Sequence, residues 1–512
     1  MDTIVVVGSG IGGMASAALF ARAGYRVTVL EANEAYIGGH GRCLRFGNMR
    51  FSMGPQYVWE FGDGETGMRF LEYIGIRGEC PFLPMAEDGF ERLFVGDRKK
   101  GQNWYFMDFS VPMGLDRFGE SLKRMFPEEA AAIDSLFNDM IAVYDVYKAF
   151  FRKNAINESR LLNTTRFLLT GKISSAMKVR LGRTIYMSVK ELFDRHGISP
   201  AARRILYGHG GIFAESESDM SAVAYIVGTG NYHAGAWYPE KGFHHFFRSL
   251  AGVVEAAGGS VHRGKRVVRL ETVSNRVSRA VCADGSSYES DFVFSDVSPR
   301  LTYALLDDLE ESFDYSPSHA VGACCIGITG GLPAVREMRG KNYWWQDGVE
   351  VEYHVPDVTR PPRMLFINSP TANGFGGEPE TPDDSLVVFF PGNYSQEMAL
   401  YRQGPDAFWA FKRQLSDHIT GILDRNVFPG IAGRVAFSEI VSAVDTQSQI
   451  LAERAAAYGR RLSVDEILKG EIREKRRPEN LRNVSAAANS PGIAAGIYTA
   501  KLLFNDLAKK DF

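Results

Sequence analysis

Cysteine is scarce in this chain. The five present among 512 residues, Cys43, Cys80, Cys282, Cys324 and Cys325, form no C-x-x-C pair. They are too sparse for a disulfide framework, which fits a reducing compartment. An excess of one charge is also lacking: 58 basic against 61 acidic residues leave a formal net charge of −3. There is therefore no global basic field for nucleic acid. No run approaches the roughly 18 uninterrupted apolar residues of a spanning helix. The chain passes from Met1-Asp2 straight into an apolar segment, without a basic region or cleavage site. These absences predict a cytoplasmic protein, either soluble or lying on a membrane surface. Internal repeats, a glycine triplet period and a Gly-x-Ser-x-Gly elbow are missing too. His209, His244 and His245 have no zinc-ligand spacing, so no metal is expected.

What is present reads as an ordinary globular chain, with 45% hydrophobic and 23% charged residues. Its length suggests about three domain-sized units. Thr3 to Val7 is short and β-branched, as a buried parallel strand should be. Gly8-Ser-Gly10-Ile-Gly-Gly13 follows, then an Ala/Leu-rich helix ending near Gly24, then a second strand, Arg26 to Leu30, closed by Glu31. In this βαβ start Gly8 permits a tight turn, Gly10 lets backbone approach a pyrophosphate, and Gly13 lets helix pack on strand. Glu31 lies 18 residues beyond Gly13, close to the spacing of about 20 expected for a carboxylate on an adenosine ribose. An acid there suits FAD or NAD and disfavours NADP. No second glycine fingerprint occurs between a strand and a helix, so one dinucleotide per chain is expected.

Beyond this start, Pro81 to Tyr238 reads as long helical segments rich in aromatics, such as Ile133 to Phe151 and Met187 to His196. Residues 243 to 257 form an amphipathic helix with Phe243, Phe247, Leu250 and Val254 on one face. Strands are expected at Val261, Val267 to Leu270, Ala280 to Ala283, Phe292 to Ser295, Gly322 to Thr329, Leu365 to Asn368 and Leu386 to Phe390. Thr371 to Ser385 reads as a loop, and Asn489 to Gly492 as a turn feeding a terminal helix from Ile493 to Leu507. Cys324-Cys325 fits a buried strand rather than a nucleophile.

The run Gly38-Gly39-His40-Gly41-Arg42, followed by Phe51-Ser-Met-Gly54-Pro55-Gln56-Tyr57, resembles the second segment of FAD-dependent amine-oxidase-like flavoproteins, especially the phytoene desaturase family. Ala236-Trp-Tyr238-Pro239 with Gly242, Ser295-Asp296-Val-Ser-Pro299 and Ser490-Pro491-Gly492-Ile493 are similar to its carotenoid isomerase and retinol saturase branch. The resemblance implies an α/β fold: a Rossmann-like FAD-binding domain assembled from 1–75, 240–300 and 470–512. A mixed-sheet and helical substrate domain, 76–239 and 301–469, is inserted into it. It implies noncovalent FAD, with Gly8, Gly10, Gly13 and Glu31 at the adenosine diphosphate half and Gly38, Gly39 and Arg42 along its phosphate and ribitol side. Val267 would meet the adenine, Gly54 and Pro55 would pass near the flavin ring, and Gly492 and Ile493 would offer backbone amides to the pyrimidine edge, where a helix start stabilises charge on reduced flavin. The chain departs from the family pattern at Ser52, where an acid is frequent, at His40, where Arg is frequent, and at Lys241, which stands for a glycine.

The implied activity is redox change or isomerisation at carbon–carbon bonds of a long polyene or isoprenoid. Tyr57 and His209 are the candidate polar groups near the flavin. Tyr232-His233 and Tyr343-Trp344-Trp345 either line an aromatic tunnel or pack in the core. Lys148 to Arg183 holds nine basic residues against one acid, Glu158, interleaved with Phe and Leu. That pattern suits an anionic membrane surface, beside the alternative of a solvated basic face. Two other classes stay open. A flavin amine oxidase would gain nothing from a positive approach for a cationic amine, and a non-enzymatic prenyl- or lipid-binding protein on the same fold would not need the retained glycines and Glu31.

Overall fold

The computed structural model describes residues 2–96, 106–151, 173–208, 213–306, 313–348, 357–374, 383–469, 477–485 and 492–511. Its first sheet grows from the N-terminal strand. β1 (Thr3–Val7) is buried on nearly every residue because neighbours cover both faces. The chain turns at Gly8, whose φ of +94° favours glycine. It then enters α1 (Ile11–Arg22) and returns as β2 (Arg26–Leu30). Far along the chain come α2 (Gly242–Ala256), β3 (Ser260–His262), β4 (Phe292–Ser295), β5 (Leu481–Asn483) and α3 (Ile493–Ala508). The sheet order is β5-β4-β1-β2-β3, with every pair parallel.

Small residues let three helices meet on this sheet. α1 is buried along Gly12 to Ala21 and packs against both α2 and α3. A Cβ on Gly496 would lie 2.5 Å from Ile11 Cγ2, and one on Gly12 only 1.9 Å from the Val484 carbonyl oxygen. Phe20 fills the centre, with ring centroids 5.1 Å from Phe294 and 5.2 Å from Phe504.

The second sheet has seven strands. In spatial order they are Val435–Val441, Val321–Ile328, Asp384–Pro391, Met364–Asn368, Asn342–Gln346, Glu91–Val95 and Met107–Val111. Only the pairing of Asn342–Gln346 with Glu91–Val95 is parallel. This corrects the helical reading of 81 to 238, which opens with strands: Met-Asp-Phe-Ser-Val alternates buried and exposed over 107–111, a strand period. Helices take over only at Leu115–Met125, Ala130–Val146, Ser175–Ile185, Val189–His196, Pro200–Leu206 and Ala222–Ala234. Asp384 and Ser385 already belong to a strand, and 375–382 of the expected loop lie outside the described residues. Residues 152–172 of the basic segment also lie outside them. Of the remainder, Arg180 pairs with Asp139 at 3.2 Å and Lys148 lies over the Tyr144 ring. Among the described residues no helix is long and apolar enough to cross a membrane.

Candidate functional site

A cavity of about 460 Å³ runs from the β1–α1 turn to the second sheet. At its first end lie Gly8, Ser9, Gly10, Glu31, Val267 and Asp296; along its middle are Gly38, Gly39, Gly54, Pro55, Gly492 and Ile493; at its far end stand Tyr57, Trp59, Tyr232, Trp344, Phe366 and Tyr458. The expected cofactor positions thus meet on one surface, apart from Gly13 and Arg42. Gly13 serves packing: a Cβ there would fall 2.7 Å from the Gly8 carbonyl oxygen.

Hydrogen bonds tie the glycine segments together. Glu31 closes β2 and turns back to accept from Ser9 N–H at 3.1 Å, from the Ser9 hydroxyl, and from Asn33 N–H at 2.7 Å. The Ser9 hydroxyl in turn accepts from Gly38 N–H at 3.1 Å. Gly38 has φ of +109° and Gly39 +56°, and a Cβ on Gly39 would sit 3.3 Å from Gly10 Cα. The two loops therefore approach backbone to backbone, leaving a groove walled by main chain. Gly54 is equally constrained, because a Cβ there would fall 2.1 Å from the His40 carbonyl oxygen.

Arg42 lies behind the cavity wall. It follows the short helical turn Gly39–Gly41 and points toward the helix Ala443–Ile450, donating from Nε to Gln449 Oε1 at 2.9 Å and from Nη2 to Thr446 Oγ1 at 3.4 Å. Its Nη1 is buried without a hydrogen-bond partner, and burial lowers the guanidinium to about 10. His40 lines the cavity and is held down to about 4 by burial, then by Arg42, with a backbone contact to Ala456 opposing. Asp296 is pushed up to about 8 by burial, against the Gly13 N–H it accepts from, with Glu31 adding to the rise.

At the aromatic end, Tyr57 is buried and its hydroxyl donates to Glu91 Oε1 at 2.5 Å. Trp344 Nε1 donates to the same oxygen at 3.1 Å. Burial, and after it the Glu91 carboxylate, holds the Tyr57 phenol well above its ordinary range. Tyr232 lies 4.4 Å from the Tyr57 ring, and Phe366 stacks on Trp344 at 4.3 Å. Tyr343 and Trp345 point into a separate core on the other face of the sheet, as strand alternation requires. Sequence reasoning missed Glu91. Its only signal is an acid opening a strand whose last three residues are apolar, Glu-Arg-Leu-Phe-Val. His209 and the Asn489–Pro491 part of the expected turn lie outside the described residues.

Together the turn, the second glycine loop, the acid on β2 and the start of α3 can hold a dinucleotide. The groove is walled by main chain, and Arg42 lies behind that wall with its buried Nη1 unpartnered. A family model described as flavin containing amine oxidoreductase matches residues 11–306. An all-trans-retinol 13,14-reductase of Rattus norvegicus is 26% identical over 498 residues, covering 89% of this chain and 76% of the relative. A 1-hydroxycarotenoid 3,4-desaturase of a Flavobacterium strain is 23% identical, covering 60% of this chain and 59% of that protein. Among solved structures, putrescine oxidase bound to putrescine superposes with a TM-score of 0.62 at 14% identity, over 99% of each chain.

Proposed function

The chain belongs to the flavin containing amine oxidoreductase family, and on that premise we propose that it is an FAD-dependent oxidoreductase acting on carbon–carbon bonds of a long hydrophobic polyene or isoprenoid, by desaturation, saturation or isomerisation. The observation that carries this reading is the aromatic end of the cavity, where Trp59, Tyr232, Trp344 and Phe366 present flat apolar faces continuous with the glycine-walled groove. The retinoid- and carotenoid-transforming relatives support it.

Gly8, Gly10 and Glu31 hold the adenosine diphosphate half, with Gly13 packing α1 beneath it. Val267 meets the adenine. Gly38 and Gly39 follow the diphosphate and ribitol, and Arg42 assists from behind the wall. Gly54 and Pro55 flank the ring, while the free amides at the start of α3, Gly492 and Ile493, face its pyrimidine edge. Bound noncovalently, FAD supplies hydride transfer. The aromatic walls orient the chain of the substrate and exclude water. Tyr57 Oη, which donates to Glu91 Oε1, is the polar group assigned to proton transfer at a substrate carbon. Lys148 to Arg183 draws the protein to anionic membrane, where a lipid-soluble substrate resides.

A second reading, amine oxidation, is favoured by one feature: a carboxylate, Glu91, behind an aromatic cage, a setting that also suits a cation. Anaerobic mixing of the purified holoprotein with all-trans-retinol, a carotenoid in vesicles, or putrescine separates the two. Oxidised flavin bleached by a polyene, or dithionite-reduced flavin reoxidised by one, is the expected result. Bleaching by putrescine alone would replace the polyene reading with the amine one. Flavin-free protein carrying extractable lipid would favour a binding protein.

A further inference from the structure

Beneath the glycine turn lies a carboxyl group to which the proposed function gives no role. Asp296 follows β4, and its side chain packs against the turn from below. A Cβ on Gly10 would lie 2.6 Å from Asp296 Oδ2, one on Gly13 2.9 Å from the same oxygen, and one on Gly12 3.0 Å from Oδ1. Oδ2 is sealed from solvent and has no hydrogen-bond partner. The carboxyl accepts from Gly13 N–H, and the charged neighbour acting on it is Glu31, which adds a second negative charge. Lys265, Arg266, Glu453 and His40 also line the cavity. Lys265 is committed to Asp284 and Glu453 to Arg300, and burial keeps His40 neutral. From α3 the cavity receives only Ile493 and Ala494, preceded by Gly492. Among the described residues no cation pairs with Asp296.

A diphosphate resting on Gly10 would therefore stand above two carboxyl groups. Glu31 is satisfied by three donors. Asp296 has one backbone donor, and like charges crowded into a water-poor site strongly oppose one another. We propose that the flavin dinucleotide binds the protein only while Asp296 is neutral, making this residue a proton-controlled determinant of cofactor affinity. The inference rests on the flavin reading above. Burial already holds the carboxyl near 8 in the unliganded protein, so the control operates above about pH 8.

Linkage fixes the expected result. Below about pH 8 affinity is flat, and above it the affinity falls toward tenfold per pH unit. The protein takes up close to one proton per FAD bound at about pH 9. An amide cannot ionise, so Asp296→Asn should bind FAD with near wild-type affinity at neutral pH and show no such fall. Apoprotein prepared from the holoprotein is titrated with FAD by flavin fluorescence across this range. Calorimetry in buffers of different ionisation heat counts the protons. Wild-type affinity that is flat with pH, a fall equally steep in Asp296→Asn, or a folded Asp296→Asn protein that binds no FAD would each overturn the proposal. If the wild-type protein bound no flavin at any pH, the flavin reading itself would fail, a different and recognisable outcome.

Discussion

Replacing Glu31 by Gln tests the proposed adenosine end of the site at a single atom. Two N–H donors and one O–H converge on the two carboxylate oxygens of Glu31. Glutamine keeps one acceptor and turns the other position into a donor. Asn33 N–H can keep the remaining oxygen. Ser9, which is 1% exposed, then has its N–H facing an amide NH2 with no water to rescue it. The orphaned Ser9 N–H costs about 1–3 kcal/mol of fold stability with or without cofactor, whereas the lost charge-assisted ribose hydrogen bond, also about 1–3 kcal/mol, is felt only on binding. FAD binding should weaken about 5- to 150-fold. FMN, which has no adenosine ribose, supplies the internal control. Fluorescence titration of the apoprotein should show a loss for FAD well beyond any loss for FMN. Equal losses would mean that Glu31 acts only by holding the Ser9 turn, and an unchanged FAD affinity would remove Glu31 from the site altogether.

Gly10→Val would drive a side chain both into Asp296 Oδ2, 2.6 Å from the first added carbon, and into the path of the diphosphate. The variant should purify colourless, and a yellow one of normal affinity contradicts the placement of the turn. His40, neutral in the fold with its pKa near 4 against 6.5 when unfolded, contributes stability above about pH 6.5 that is lost as the pH falls toward 4, up to about 3 kcal/mol. Asp296 works in the opposite sense, since its raised pKa makes stability fall between about pH 4 and 8. Asp296→Asn should thus make apoprotein stability climb more steeply between about pH 4.5 and 6.5, by up to about 1.4 kcal/mol per unit, and His40→Gln should flatten it; urea unfolding reads both. If Lys148 to Arg183 meets anionic lipid, sedimentation with anionic vesicles should exceed that with neutral ones and decline with salt. Glu at Arg152, Lys153 and Arg166 should abolish the difference, whereas equal binding to both vesicle types refutes an electrostatic dock.

The glycine-walled end of the cavity was legible in the sequence because its walls are main chain. A backbone that must bend at Gly8 and come within a Cβ radius of a neighbour at Gly39 and Gly54 admits little but glycine. The strands at 91–95 and 107–111 were not legible. They are short; 107–111 pairs only with 91–95, and 91–95 joins the sheet through residues 342–346 far along the chain, so local pattern had to compete with a helical region downstream. Arg42 shows another limit: its position in the motif was plain, but the polar face of Ala443–Ile450, some 400 residues away, decides where its guanidinium goes. Glu91 was invisible for the same reason, since only folding brings Tyr57 and Trp344 to one oxygen.

The order of strands in the first sheet has a consequence for biosynthesis. β1 is made well before the strands on one side of it: one neighbour, β4, is made at residues 292–295 and the strand beyond it, β5, only at 481–483. At about 5–20 residues per second, the glycine turn waits about half a minute to a minute and a half for the segment that seals it. α3 comes later still, and with it the small-residue contact of Gly496 on Ile11. Until then the parts of the core that β5 and α3 cover are exposed, and a nascent chain interrupted before residue 480 would carry most of the aromatic core with no means of closing the nucleotide groove. Such fragments are natural clients for chaperones, and premature termination should yield aggregation rather than a partly active enzyme.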